Sequence, residues 1–104
     1  MHSPIVITGM GMVSPLGNSV NTSWQRLVNG QSGISTIDRF DTSNIPIKIA
    51  GVVPSISHDP SGGIDLDEIA DPKEQRKMDL FSLYALAAAK EALSQANWFP
   101  VEQA

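Results

Sequence analysis

The sequence contains no cysteine, no excess of positive charge and no long apolar run. Without cysteine, its 104 residues hold no disulfide, no thiolate metal ligand and no cysteine nucleophile. A net charge of −4 argues against a basic surface for nucleic acid or for an anionic membrane. No apolar run approaches the roughly 18 residues that a membrane-spanning helix needs. The first residues also lack the positive leader of a secretory signal, so we expect a cytoplasmic protein.

The apolar residues that are present suffice for one small packed domain. Hydrophobic residues make up 41% of the sequence, a fraction too high for a disordered chain. A length of 104 residues fits a single domain with a thin core. The sequence shows no internal repeat and no low-complexity tract.

The first half of the chain predicts a strand, a helix and a second strand. Residues 5–8 form a β-branched run that Gly9 closes, and its continuous apolar character suits a sheet covered on both faces. A helix follows from about Val20 to Asn29, with Gly30 in the position of a C-terminal glycine. The remaining predictions are an N-cap at Asn18, Asn21 or Thr22, an irregular segment over residues 31–47, a second strand over residues 47–53, and a surface loop over residues 54–63.

The second half predicts a short acidic helical turn near residues 64–70 and then a long helix. Asp71, Pro72 and Glu74 match the residues expected at an N-cap, at the first helical position and in a capping box. We expect this helix to run towards Asn97, with a break near Asp79. Its alanines make it slender and allow a neighbouring backbone to approach closely, so we expect it to be buried in a larger assembly.

Two glycines after the first predicted strand resemble a dinucleotide-binding fingerprint only in part. Gly9 and Gly11 are followed by Ser14 where the third glycine of that fingerprint would stand. The next helix also begins too late to direct its N-terminus at a phosphate. A tight structural turn is therefore favoured over nucleotide binding.

The remaining polar residues suggest no catalytic or metal site. His2 and His58 have no second ligand at helical spacing, so both are interpreted as surface histidines. The spacing of the acidic residues does not match a calcium-binding loop, which favours a solvated acidic face. These acidic residues are Asp59, Asp65, Asp67, Glu68 and Asp71.

A cationic cluster supports two interpretations equally, a binding site for an anionic partner and a solvated helix face. Lys73, Arg76 and Lys77 supply three of the seven positive charges within five residues. On a helix they would share one face, where they would attract an anionic partner. The alternative is a solvated helix face whose charge is offset by Glu74, Asp79 and the acidic run just before it.

Several motifs in order resemble one family, the β-ketoacyl–acyl carrier protein synthases, and those of type II in particular. The resemblance covers nearly the whole chain and departs from the family mainly over residues 54–63 and after Asn97. The motifs are IVITGMGMVSPLGN at residues 5–18, GQSGIS at 30–35, FDTS at 40–43, AG at 50–51 and KEQRKMD at 73–79.

The resemblance implies an enzyme of fatty acid synthesis with a thiolase-like layered α/β fold and no cofactor. Such enzymes load an acyl chain onto a cysteine and condense it with malonyl-carrier protein, assisted by two histidines. The family's cysteine and histidines lie beyond the matched region, so these residues alone are expected to be inactive. The resemblance also places acyl carrier protein, which is strongly acidic, on Lys73, Arg76 and Lys77, and implies a homodimer for the complete enzyme.

The sequence is therefore interpreted as the amino-terminal part of such a synthase, with residues 1–104 forming an incomplete domain without an internal boundary. Its expected contribution is scaffold and carrier docking, with no catalytic residue. The alternative is a stand-alone, non-catalytic module that binds carrier protein, or a truncated gene product. The intact mass and the downstream reading frame distinguish these possibilities.

Overall fold

The computed structural model describes residues 3–99, which contain four helices and two short strands. The chain divides into two compact units, one built from Val13–Asp65 and the other from the residues before Val13 and after Asp65. The elements are α1 (Val20–Val28), β1 (Ile34–Thr36), β2 (Ile49–Gly51), α2 (Leu66–Ile69), α3 (Pro72–Gln75) and α4 (Leu80–Gln95).

Helix α1 begins and ends close to the predicted positions. Ser19 is its N-cap, and the Ser19 hydroxyl accepts a hydrogen bond from the Thr22 backbone N–H at 3.1 Å. The prediction that Asn18, Asn21 or Thr22 would cap the helix is therefore wrong, because Ser19 supplies the acceptor that the first turn needs. At the other end Gly30 has φ 76°, the left-handed conformation that favours glycine after a helix, as predicted.

The two strands pair antiparallel in a two-stranded sheet, in which Ser35 lies opposite Ala50. Strand β2 confirms the predicted second strand but is shorter than residues 47–53. Strand β1 lies inside the segment predicted to be irregular, so that prediction is wrong at residues 34–36. The reason is that three residues carry too little local signal, and β1 is specified by its partner across a long intervening segment.

The loop over residues 54–63 is present as predicted and is closed by two backbone hydrogen bonds. The Ile64 N–H donates to the Pro54 carbonyl at 2.8 Å, and the Ile56 N–H donates to the Ile64 carbonyl at 3.0 Å. Ile64 is one of two buried hydrophobic residues among those described, the other being Leu83 in α4. The base of the loop is thus anchored by Ile64, which is buried and forms both of these backbone hydrogen bonds.

The predicted long helix is divided into α3 and α4. Asp71 caps α3 through a 2.8 Å bond from the Glu74 N–H to Asp71 Oδ1, which confirms that start signal. The break extends from Arg76 to Asp79, and Asp79, in an extended conformation, is the N-cap residue of α4. The prediction of a break near Asp79 is therefore confirmed. Helix α4 ends at Gln95, two residues before the predicted end.

Residues 5–8 form no strand in the described part of the chain, contrary to the sequence prediction. A strand requires a partner, and none of the described strands pairs with this segment. The turn predicted at Gly9 and Gly11 is also absent. Instead the two glycines pack against α4, where a Cβ at Gly9 would overlap the Ala92 carbonyl and a Cβ at Gly11 that of Ala88. The expected close approach of a backbone to the slender helix is confirmed.

Candidate functional site

The predicted cationic cluster lies at the junction between α3 and α4. Lys73 is in the middle of α3, Arg76 is its C-cap residue, and Lys77 lies in the turn that follows. All three side chains are exposed. The prediction that they share the face of one continuous helix is therefore wrong, because α3 ends at Gln75.

The backbone nevertheless keeps winding through the cationic residues after α3 ends. The Lys77 N–H donates to the Glu74 carbonyl at 3.0 Å, and the Met78 N–H donates to the Gln75 carbonyl at 3.2 Å. These bonds span three residues, as in a 3₁₀ turn, in which residues three apart lie one above the other. This winding places Lys77 next to Glu74.

The three cationic side chains differ in whether an acidic side chain lies beside them. Lys77 Nζ lies 3.9 Å from Glu74 Oε1, a weak ion pair between two exposed side chains. Neither Lys73 nor Arg76 forms an ion pair within residues 3–99. The positive charge available to a partner is therefore carried mainly by Lys73 and Arg76, and that of Lys77 is partly offset.

Two side chains outside the predicted cationic cluster hold the cationic turn in place. The Gln75 Nε2 amide donates to Asp67 Oδ1 and to the Ala70 carbonyl, both at 2.8 Å, and so joins α3 to α2. Lys90 Nζ in α4 donates to the Ile69 carbonyl at the end of α2 at 2.6 Å. Nothing in the local sequence marks either contact, because Lys90 and Ile69 are 21 residues apart.

The predicted acidic face is only partly a solvated surface. Asp71 is a helix cap and Asp67 accepts the Gln75 bond, so both have structural roles. Within residues 3–99, no three acidic or histidine side chains lie close enough to hold a metal ion.

Asp59 forms an ion pair with Arg26 of α1 in the unit built from Val13–Asp65. Arg26 Nη1 lies 2.5 Å from Asp59 Oδ2, and Arg26 Nη2 lies 3.1 Å from Asp59 Oδ1, so the pair is bidentate. The guanidinium also donates to the Leu16 carbonyl at 2.9 Å and to the Ser61 hydroxyl at 3.2 Å. The hydrogen bond from Arg26 lowers the pKa of Asp59 to about 2. This pair fixes the loop that follows β2 to α1.

An open cleft of about 460 Å³ in the same unit includes His58 among its lining residues. The imidazole Nδ1 lies 2.8 Å from the Ser55 hydroxyl and 3.4 Å from that of Ser57. No described carboxylate bonds to the ring, so His58 and Ser55 lack the third group that orients a catalytic histidine. His58 is exposed, which confirms its interpretation as a surface histidine. His2 lies outside the described residues.

No helix among residues 3–99 is both long and apolar enough to cross a membrane.

The chain belongs to the β-ketoacyl synthase family, and residues 2–104 match the family described as "Beta-ketoacyl synthase, N-terminal domain". This confirms the family that the motifs indicate. Relatives are proteins named 3-oxoacyl-[acyl-carrier-protein] synthase 2. The Vibrio cholerae relative is 45% identical over 93 residues, which cover 89% of this chain and 20% of that protein.

Relatives from two other bacteria show the same partial overlap. The Rhizobium meliloti protein is 44% identical over 96 residues, covering 92% of this chain and 23% of the relative. The Staphylococcus aureus (strain COL) protein is 39% identical over 93 residues, covering 89% of this chain and 20% of the relative. The chain thus spans about a fifth of the length of the curated relatives it matches.

Proposed function

We propose that this chain is the amino-terminal part of a 3-oxoacyl-[acyl-carrier-protein] synthase of type 2. The observation that carries this proposal is the match of residues 2–104 to the family, together with relatives of that name at 39–45% identity. The activity would be decarboxylative condensation of an acyl thioester with malonyl-carrier protein. The complete protein would have the thiolase-like layered fold and form a homodimer in the cytoplasm, and residues 1–104 would be an incomplete domain without an internal boundary.

Within that enzyme, this part of the chain would act as a scaffold and a docking surface. Its 104 residues contain no cysteine, so the nucleophile that the family uses must be supplied by other residues. The chain by itself is therefore expected to form no acyl-enzyme and to show no condensation activity. The two catalytic histidines of the family are likewise not assigned to His2 or His58.

The docking role rests on the charge distribution at the α3–α4 junction. Lys73 and Arg76 are exposed, lie three residues apart in a continuous winding, and are free of ion pairs within the described residues. An acidic carrier would be attracted to these two cations, mainly through a faster association rate. Lys77 would contribute less because Glu74 partly offsets its charge.

Charge reversal in a complete synthase that contains this sequence tests the docking proposal. Arg76→Glu should weaken the affinity for acyl carrier protein more than Lys77→Glu does, and Lys73→Glu with Arg76→Glu should weaken it most. Acylation by a small thioester that needs no carrier should change little. The loss should shrink as salt is raised, because exposed charges are screened over about 8 Å at physiological ionic strength.

Arg39→Glu is the matched control, because Arg39 is exposed, has no ion pair within the described residues and belongs to the other unit. Carrier affinity should be unchanged in this control. Equal losses in Arg39→Glu and Arg76→Glu would show a general effect of net charge and would contradict docking at the α3–α4 junction.

A stand-alone module that binds carrier protein remains the second candidate function, supported by the same exposed cations. Intact mass and the downstream reading frame separate the two candidates. A reading frame that continues to a cysteine and two later histidines supports the synthase, and a stop codon after Ala104 supports the module or a truncated gene product.

A further inference from the structure

Gln75 is an uncharged residue inside the cationic cluster, and its surroundings differ from those of the cations. Gln75 is half-buried, whereas the three cationic residues are exposed. A glutamine amide nitrogen carries two N–H groups, and that of Gln75 makes two bonds. One goes to Asp67 Oδ1 and the other to the Ala70 carbonyl, each at 2.8 Å. The Gln75 side chain is thus directed towards α2, and both of its donors are satisfied there.

Helix α3 depends on such contacts for its direction because it is only four residues long. A helix of this length is unstable on its own, so its position is set by its caps and by tertiary contacts. Asp71 caps its start through the Glu74 N–H. Within residues 3–99, Gln75 supplies the only side chain of α3 that hydrogen-bonds to another part of the fold. The direction of α3 relative to its neighbours therefore depends on Gln75.

The acceptors of Gln75 are themselves tied to the long helix α4. Helix α2 contacts α4, and Lys90 Nζ of α4 donates to the carbonyl of Ile69, the last residue of α2, at 2.6 Å. Ala70 follows directly, and its N–H donates to the Leu66 carbonyl at 3.1 Å. All of these residues belong to one compact unit. A series of hydrogen bonds therefore runs from α4 through α2 to Gln75.

We propose that Gln75 is a positioning residue for carrier docking, whose amide holds Lys73 and Arg76 in the orientation that an acidic carrier requires. This inference rests on the docking function proposed above and assigns Gln75 no contact with the carrier. The apparent affinity of a site falls in proportion to the fraction of molecules in the binding-competent state. Loss of two hydrogen bonds, one of them to a carboxylate, is sufficient to lower that fraction about tenfold.

Gln75→Met in a complete synthase that contains this sequence tests the proposal, because methionine has a similar helix preference but no N–H to donate. The KM for carrier-borne substrates and the dissociation constant of the carrier should each rise about tenfold, while kcat changes less than about twofold. Gln25→Met is the matched control. Gln25 is an exposed glutamine of α1, in the other unit, and its amide donates to Asn21 of the same helix at 3.5 Å. This control should bind the carrier like the wild type.

A double-mutant cycle distinguishes positioning from a direct contribution of Gln75. Lys73→Ala with Arg76→Ala removes the charges that Gln75 is proposed to orient. In that background, Gln75→Met should lower carrier affinity by less than about twofold. A full tenfold loss in both backgrounds would overturn the proposal, because Gln75 would then act independently of the cations. An equal fall in kcat with carrier-borne and small thioesters would also overturn it, since that result indicates a merely structural role.

Hydrogen exchange at the Lys77 and Met78 amides supplies a measurement that needs no carrier. Both amides bond to carbonyls three residues earlier, and in Gln75→Met they should exchange about tenfold faster while the amides of α4 are unchanged. Wild-type affinity in Lys73→Ala with Arg76→Ala would overturn carrier docking and this inference together. A loss of affinity in that variant, with wild-type affinity or wild-type exchange in Gln75→Met, would overturn positioning by Gln75 and leave docking standing.

Discussion

The packing of Gly11 against α4 leads to a prediction with a defined magnitude. A Cβ added at this position would overlap the carbonyl of Ala88, which is main chain and cannot swing away as a side chain would. Forcing extra volume into such a contact costs about 1–3 kcal/mol. The shift would also strain the bond from the Met12 N–H to Glu91, which contributes about 0.5–1.5 kcal/mol.

One effect acts in the opposite direction and must be subtracted. Alanine restricts the unfolded chain more than glycine does, which favours the folded state by about 0.4–1 kcal/mol. The net expectation for Gly11→Ala is therefore a loss of about 1–3 kcal/mol in the free energy of unfolding. For a domain of this size, each kcal/mol lowers the unfolding midpoint by about 4–8 °C.

Urea unfolding of the chain, followed by circular dichroism, measures this loss, and hydrogen exchange at the Met12 amide localises it. Gly30→Ala is a useful comparison, because its Cβ would meet nothing within 4 Å and its cost comes only from φ 76°. That cost is about 1–2 kcal/mol and should leave Met12 exchange unchanged. Ala88→Gly should not rescue Gly11→Ala, because the overlap is with the Ala88 backbone. Wild-type stability in Gly11→Ala, or rescue by Ala88→Gly, would refute the inferred contact.

Two further predictions concern polar contacts. The pKa of Asp59 is lowered to about 2 from its ordinary value of 3.8. Its ionised form therefore stabilises the fold above about pH 4, and this contribution is lost as the pH falls towards 2. Urea unfolding at a series of pH values should show that loss, and Asp59→Asn should remove this part of the pH dependence. Asp71→Ala should cost about 1 kcal/mol by removing the cap of α3, whereas Asp71→Asn should keep most of it. Faster hydrogen exchange at the Glu74 amide in Asp71→Ala alone would be the signature, and equal exchange in both variants would contradict the cap.

The helices were predictable because their signals are local. The apolar spacing over residues 20–28 and the glycine at position 30 lie within one short window, and so do Asp71, Pro72 and Glu74 at the start of α3. The N-cap of α1 was missed because several neighbouring polar residues offer the same acceptor chemistry. Only the backbone conformation selects Ser19 among them.

The features that were missed depend on contacts between distant residues. Strand β1 is defined by its pairing with β2, and residues 5–8 form no strand because none of the described strands pairs with them. The Arg26–Asp59 pair joins residues 33 positions apart, a distance that no local pattern indicates. The three cationic residues were found from the sequence. The pairing of Lys77 with Glu74 was not, because it depends on where α3 ends.

The Met10 N–H donates to Gln95 Oε1 at 2.7 Å and the Met12 N–H donates to Glu91 Oε1 at 2.9 Å. The spacing of these two bonds limits how long the contact between the extended segment and α4 can be. Acceptors four residues apart on a helix repeat every 6.0 Å or so, whereas alternate N–H groups of an extended segment repeat about every 6.6 Å. The two repeats drift apart by about 0.6 Å per pair, so two pairs still fit within hydrogen-bonding distance and four would miss by roughly 2 Å. The length of this interface is therefore limited both by the end of α4 at Gln95 and by the different repeats of its two elements.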